Sequence, residues 1–124
     1  MTPDMLHLLG IPFAEKKCLA LVTAGLAAMG IPWQDPWSDF AQAWDRGERL
    51  LEAPSGWERL PVDAPLERGD VVLSRNAAGD PRHVSLALGS RDILHTSEAS
   101  GSVITRARVL RGRIEAIYRR RPQA

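Results

Sequence analysis

His83-Val84-Ser85-Leu86-Ala87-Leu88-Gly89, followed by Asp92-Ile93-Leu94-His95-Thr96-Ser97, is the stretch that decides the fold. Its first segment alternates strictly between large apolar residues and small or polar ones, the pattern of a half-buried strand. The second segment follows a tight turn, so the two predict an antiparallel hairpin. A turn centred on residue 90 sets 83 opposite 97 and 85 opposite 95, and makes His83 and His95 diagonal neighbours on one face. A shift by one residue would separate them.

The two faces of this hairpin differ in character. On the expected register, the histidine face carries small residues, namely Ser85, Ala87 and Ser97. The opposite face carries Val84, Leu86, Leu88 and Leu94, which predicts that it packs on the core. We therefore expect a site on the histidine face, the alternative being two unrelated surface histidines.

The remaining elements lie in a simple order along the chain. Residues 19–29 have helical apolar spacing and end at Gly30, and a second helix is predicted from Asp35-Pro36 to about Glu52. Residues 53–67 read as an irregular connector, and strands are predicted at 70–74, 83–89, 92–97, 102–105 and 113–119. Helices followed by an antiparallel sheet predict an α+β fold in a single domain, residues 1–124.

Composition excludes several classes of protein. The chain has 124 residues, 44% hydrophobic and 25% charged, as in an ordinary globular domain. A net charge of +1 argues against a nucleic-acid binder. The run Arg119-Arg120-Arg121 reads as a solvated terminus, an anionic partner being the alternative. One cysteine excludes an intramolecular disulfide.

Targeting signals are not found. The first residues lack the basic and apolar regions of a signal peptide, and the longest apolar stretch, 18–31, is too short to span a bilayer. We expect a chain made in the cytoplasm and, if its substrate lies outside the cell, delivered by another assembly.

Cys18 is the candidate nucleophile because of its position. It stands at the start of the first predicted helix, directly after Lys16 and Lys17. A helix N-terminus favours thiolate over thiol and can lower a cysteine pKa from about 8.5 to as little as ~3.5–7.5. A thiolate needs an imidazole as its base, and His83, at the start of a strand, is the best candidate. His7, among leucines, reads as structural or exposed.

The order of these residues resembles the NlpC-type family of papain-like cysteine peptidases. The matching segments are Gly10-Ile11-Pro12-Phe13, Cys18 with its helix, Leu66-Glu67-Arg68-Gly69-Asp70-Val71-Val72, and the two histidines spaced by twelve positions. The resemblance runs from about residue 9 to 119. It implies a papain-like fold in which N-terminal helices, one with the catalytic cysteine at its N-terminus, pack on an antiparallel sheet.

The resemblance also implies a function. Cys18 would attack a peptide carbonyl, His83 would act as base and then acid, and His95 would orient His83. The family cleaves peptidoglycan stem peptides between D-γ-glutamate and diaminopimelate, and no metal or organic cofactor is implied. The bulky residues after Cys18 resemble the phage-tail and gene-transfer-agent branch, which implies tail or other delivery proteins as partners.

Three positions depart from the family pattern: Lys17 stands in place of Asp, Leu19 in place of Ser, and Phe13 in place of an aromatic hydroxyl. Two alternatives therefore stay open. One is a catalytically degenerate tail or structural module of the same fold, and the other is an amidase or deamidase that uses the same Cys–His site. Of the four tryptophans, Trp33 and Trp37 are candidates for the cleft, with core packing as the competing role.

Overall fold

The computed structural model describes residues 3–12, 18–31, 56–75, 83–97 and 99–121. These hold one α-helix, six strands and two short 3-10 helices. Their bounds are as follows: 3-10 helix Pro3–Leu8, α1 Cys18–Ala28, β1 Trp57–Leu60, β2 Val71–Ser74, β3 His83–Ala87, β4 Asp92–Ser97, β5 Gly101–Arg106, 3-10 helix Ala107–Leu110 and β6 Ile114–Arg120.

The six strands form one sheet in the order β1-β6-β2-β3-β4-β5, and every neighbouring pair is antiparallel. The expectation of a papain-like α+β fold, with N-terminal helices packed on a sheet, is wrong. The described residues form a small β-rich domain with a single 11-residue α-helix. Residues 35–52, where a second helix was predicted, lie outside the described residues.

The strand predictions hold within one or two residues at each end, with one omission. Residues 57–60 form β1, an edge strand paired with β6, although the prolines around them predict a connector. Trp57 is buried in the core there. A four-residue strand between prolines has too little alternation to be recognised from sequence.

Each face of the sheet carries its own apolar cluster. On one face, α1 packs through Leu21, Val22 and Leu26 against side chains that include Val84 and Leu86. The other face is covered by loops and the second 3-10 helix, and its cluster comprises Leu66, Val72, Ala87, Ile93, Leu110 and Ile117. Successive side chains of a strand alternate between faces. His83 and His95 therefore lie on the second face, opposite α1.

The C-terminal end of α1 is capped and anchored next to the sheet. Gly30 has φ 75°, and the N–H groups of Gly30 and Ile31 donate to the carbonyls of Ala27 and Leu26, which is a Schellman cap. Ile31 then reaches Gly69, because its Cδ1 would lie 2.8 Å from a Cβ at that glycine. Gly69 in turn donates to the carbonyl of Ala87. The helix therefore ends beside the last residue of β3.

A buried ion pair connects β6 to the turn before β2. Arg119 donates from Nε to Oδ1 of Asp70 at 2.9 Å and from Nη2 to Oδ2 at 2.8 Å, and Asp70 is 1% exposed. Asp70 Oδ2 also accepts from the backbone N–H of Glu67. Arg121 pairs with Glu58. Two of the three arginines in the run 119–121 are thus bound to carboxylates. The run is therefore not simply a solvated terminus. Within the described residues, the structure contains no helix long and apolar enough to cross a membrane.

Candidate active site

The register of the β3–β4 hairpin is the one that the sequence predicts. Leu86 pairs with Leu94 and Ala87 with Ile93, so the turn is centred on residue 90. Continued along the strands, this register sets residue 83 opposite 97 and 85 opposite 95. His83 and His95 therefore share a face, as expected.

The two imidazoles are in contact. Their ring centroids are 5.4 Å apart and their planes meet at 84°, so the rings lie edge to face. Such an arrangement aims the edge of one ring, which carries its N–H and C–H groups, at the electron-rich face of the other. Both residues are half-buried. The hairpin thus brings into contact two residues that are twelve positions apart in the sequence.

The surroundings keep both rings neutral at pH 7. Burial lowers the pKa of His83 to about 4, with smaller contributions from His95 and from the Arg113 guanidinium. Burial also lowers the pKa of His95, and Arg113 adds to that shift. A neutral imidazole is the form that accepts a proton. His83 is therefore in the state that a general base requires.

Thr105 on β5 holds the ring of His95. Its Oγ1 lies 3.1 Å from Nε2 of His95, whereas Nδ1 of His95 is buried and has no hydrogen-bond partner among the described residues. With hydrogen on Nε2, Thr105 accepts it and the Nδ1 lone pair stays available to a second donor. Sequence reasoning missed Thr105, because its face depends on the β4–β5 register, in which Ile93 pairs with Thr105.

Two fully buried serines extend the polar character of this face. Ser74 on β2 pairs with His83 across the β2–β3 ladder, and Ser85 lies on β3 two residues after His83. Neither Oγ atom has a hydrogen-bond partner within the described part of the chain. Buried hydroxyls are rarely left without one. Because Ser74 and Ser85 are fully buried, their hydroxyls add polar atoms beside the histidine pair but are not exposed to a ligand. Ser85 was predicted on this face; Ser74 was not.

Cys18 is the first residue of α1, and the helix places it at the histidine end of the sheet. The 11 residues of α1 span about 16 Å and the five of β3 about 17 Å, so the two elements have matching lengths. Since α1 contacts β3 and ends beside Ala87, its first residue lies toward His83. Residues 10–11 support this, because they hydrogen-bond to Ser102 near the start of β5.

The helix α1 packs on one face of the sheet, and the histidine pair lies on the other. The side chains of Cys18 and Leu19, and the whole of Phe13, Lys17, Trp33 and Trp37, lie outside the described residues.

The described residues contain no group of three His, Cys, Asp or Glu side chains that could hold a metal ion. No family model matches the chain, and no curated protein matches it.

Proposed function

We propose that the protein is a cysteine endopeptidase that cleaves peptidoglycan stem peptides between D-γ-glutamate and diaminopimelate. The observation that carries this proposal is the contact between His83 and His95. This contact lies at the start of β3, and the N-terminus of α1 lies toward the same end of the sheet. A cysteine at a helix N-terminus, a neutral imidazole and a second ring against the first form the three parts of a thiol hydrolase.

Each group has a defined step in the reaction. His83 takes the proton from the Cys18 thiol, and the thiolate adds to the peptide carbonyl carbon. The resulting oxyanion is stabilised by the backbone N–H of Cys18. The C–N bond then breaks, His83 returns the proton to the departing amine, and a thioester remains. Water, deprotonated by His83, hydrolyses the thioester to a carboxylate and restores the thiol.

His95 acts through His83 as a positioning residue. Its ring fixes the orientation of the His83 imidazole, and its neutral state avoids a second positive charge when His83 is protonated. Thr105 supports this arrangement by engaging Nε2 of His95. The chain of contacts Thr105–His95–His83 is the counterpart of the carboxylate or amide that orients the base in other triads.

The substrate class rests on the order of motifs around these residues, which resembles the NlpC-type peptidases. A degenerate module and an amidase or deamidase remain the competing functions, and one experiment separates all three.

The test is digestion of purified peptidoglycan sacculi, with the products identified by mass spectrometry. Release of new D-glutamate and diaminopimelate ends by the parent protein, and not by Cys18→Ala, is expected. Soluble glutamine-containing peptides are incubated in parallel, and a mass increase of one unit there would indicate a deamidase instead. His83→Ala should abolish product release, whereas His7→Ala, at an exposed histidine, provides the matched control.

Reactivity of the thiol provides a second readout that does not need the substrate. Cys18 is the chain's single cysteine, so alkylation by iodoacetamide reports on it alone. Rapid alkylation at pH 7 that slows in His83→Ala is expected. Absence of cleavage together with an unreactive thiol would contradict the proposal and favour the degenerate module.

A further inference from the structure

A cleft with a basic rim lies on the histidine face, between the β3–β4 turn and the start of β6. Its volume is about 960 Å³, within the range of ligand-binding clefts. Three segments line it: residues 62–66 between β1 and β2, the β3–β4 turn, and the chain between β5 and β6. Leu66, Ala107 and Ile114 belong to the apolar cluster of this face and form part of its lining.

Four arginines and one carboxylate line this cleft. The arginines are Arg91, Arg106, Arg108 and Arg111, and the carboxylate is that of Asp63. Arg106 lies 3.5 Å from Asp92, and both of those side chains are largely exposed. Within the described ranges, Arg91, Arg108 and Arg111 have no ion pair. The cleft therefore has a net positive charge although the whole chain is nearly neutral.

Three arginines outside the cleft are paired with carboxylates. Arg75 pairs with Glu115, Arg119 with Asp70, and Arg121 with Glu58. Like charges gathered without counter-ions repel one another unless an anion lies between them. Three arginines that have no ion pair among the described residues surround this one cleft, which indicates a site for an anionic ligand.

Backbone hydrogen bonds hold the arginine-bearing segments together. The N–H of Ala107 donates to the carbonyl of Arg91 at 2.6 Å, which connects the β3–β4 turn to the end of β5. The N–H of Arg111 donates to the carbonyl of Arg108 at 3.1 Å. The backbone of the residues that carry these guanidinium groups is thus held in place before a ligand binds, which lowers the entropic cost of binding.

The chemistry of the cleft selects the kind of anion. A guanidinium is a planar fork of donors that matches phosphate and carboxylate oxygens, and tetrahedral phosphate accepts from several arginines in different directions. Among the described lining residues there is no aromatic side chain on which a nucleobase could stack. We propose that it binds a flexible polymer of phosphate or phosphodiester groups that carries no nucleobases.

This proposal does not depend on Cys18 being a nucleophile. If both proposals hold, the polymer binds on the same face as His83. A bound polymer would then keep the enzyme on a phosphate-bearing surface. Arg113 precedes β6 and follows directly after the cleft residues Arg111 and Gly112. Its positive charge contributes to the lowered pKa of both histidines.

The test measures binding of long-chain inorganic polyphosphate to the full chain by calorimetry at two salt concentrations. The triple variant Arg91→Gln, Arg108→Gln, Arg111→Gln should bind at least about tenfold more weakly, and the slope of log K against log salt should fall by roughly two to three. The matched control, Arg75→Gln, Arg120→Gln, Arg121→Gln, removes the same charge away from the cleft. It should lose less than about threefold.

Several outcomes would overturn the proposal. Equal losses in the two triple variants would mean that only net charge attracts the polymer. Tighter binding of an oligo-dT strand would indicate a nucleic-acid site, and equal binding of polyglutamate would remove the preference for phosphate. Amide NMR shifts give a measurement without mutation. Polyphosphate should move the resonances of Ser90 and Gly112 and leave that of Gly56, beside β1, in place; the reverse pattern would also contradict the site.

Discussion

His83 and His95 lie edge to face with their ring centroids 5.4 Å apart, and Thr105 engages the far nitrogen of His95 at 3.1 Å. The β3–β4 hairpin brings the two rings together, and the β4–β5 pairing brings Thr105 to the second ring. Two further strands, β4 and β5, thus hold the histidine pair in place.

The first prediction concerns Thr105. Thr105→Val removes the oxygen that engages His95 but retains the shape of the side chain, so cleavage of a soluble stem peptide should slow. A hydrogen bond worth about 1 kcal/mol corresponds to a loss of about fivefold in kcat. Thr105→Ser, which keeps the hydroxyl, should recover most of the rate. An equal loss in both variants would mean that Thr105 contributes packing alone.

The second prediction concerns stability in acid. Burial lowers the pKa of His83 to about 4 in the folded protein, against about 6.5 when unfolded. The unfolded chain therefore binds more protons between those values, and stability falls as pH drops from about 6.5 to 4. Discounted for partial exposure, the contribution of His83 is on the order of 2 kcal/mol. Urea unfolding at pH 7, 6, 5 and 4 measures it.

The control for that titration is His83→Gln, which cannot be protonated in this range. Its unfolding free energy should depend less steeply on pH than that of the parent, and the difference isolates His83 from the carboxylates. His7→Gln, at an exposed position, is the control for the substitution itself. Parallel curves for the parent and His83→Gln would contradict the lowered pKa.

The third prediction concerns the approach of Cys18 to His83. In His83→Cys, a bifunctional thiol reagent of short reach should join residues 18 and 83 within one chain. Val109→Cys serves as the control, because Val109 is exposed in the second 3-10 helix, outside the β2–β3 ladder that holds His83. Peptide mapping detects the cross-link. If no cross-link forms in His83→Cys although both thiols react with the reagent, Cys18 does not lie beside the histidine pair.

The fourth prediction concerns the ion pair of Asp70 and Arg119. Arg119→Met leaves the buried Asp70 carboxylate without its guanidinium, and the unfolding free energy should fall by about 3 kcal/mol. The double variant with Asp70→Asn should lose less than the sum of the two single losses, because no uncompensated charge remains. Arg120→Met is the neighbouring control. Additive losses in denaturant unfolding would show that the two residues are not coupled.

Local sequence signals were sufficient for the hairpin and for α1. Alternation through residues 83–89 predicts the strand, and the turn fixes the register that the structure contains. Gly30 marks the end of α1 because its φ of 75° suits a residue without Cβ. The fold class was not predicted correctly, since it required counting elements across the whole chain, and β1 is too short to be recognised.

The sequence by itself predicted that His83 and His95 share a face if the turn is centred on residue 90, because strand alternation and turn length are local properties of the chain. Only the tertiary structure decided which face of the sheet α1 covers. The large apolar side chains opposite the histidines predicted that this face packs on the core, but not that α1 is the element that covers it. The helix packs on the face opposite the histidines. That placement of α1, the support from Thr105 and the arginine cleft all depend on contacts between distant segments.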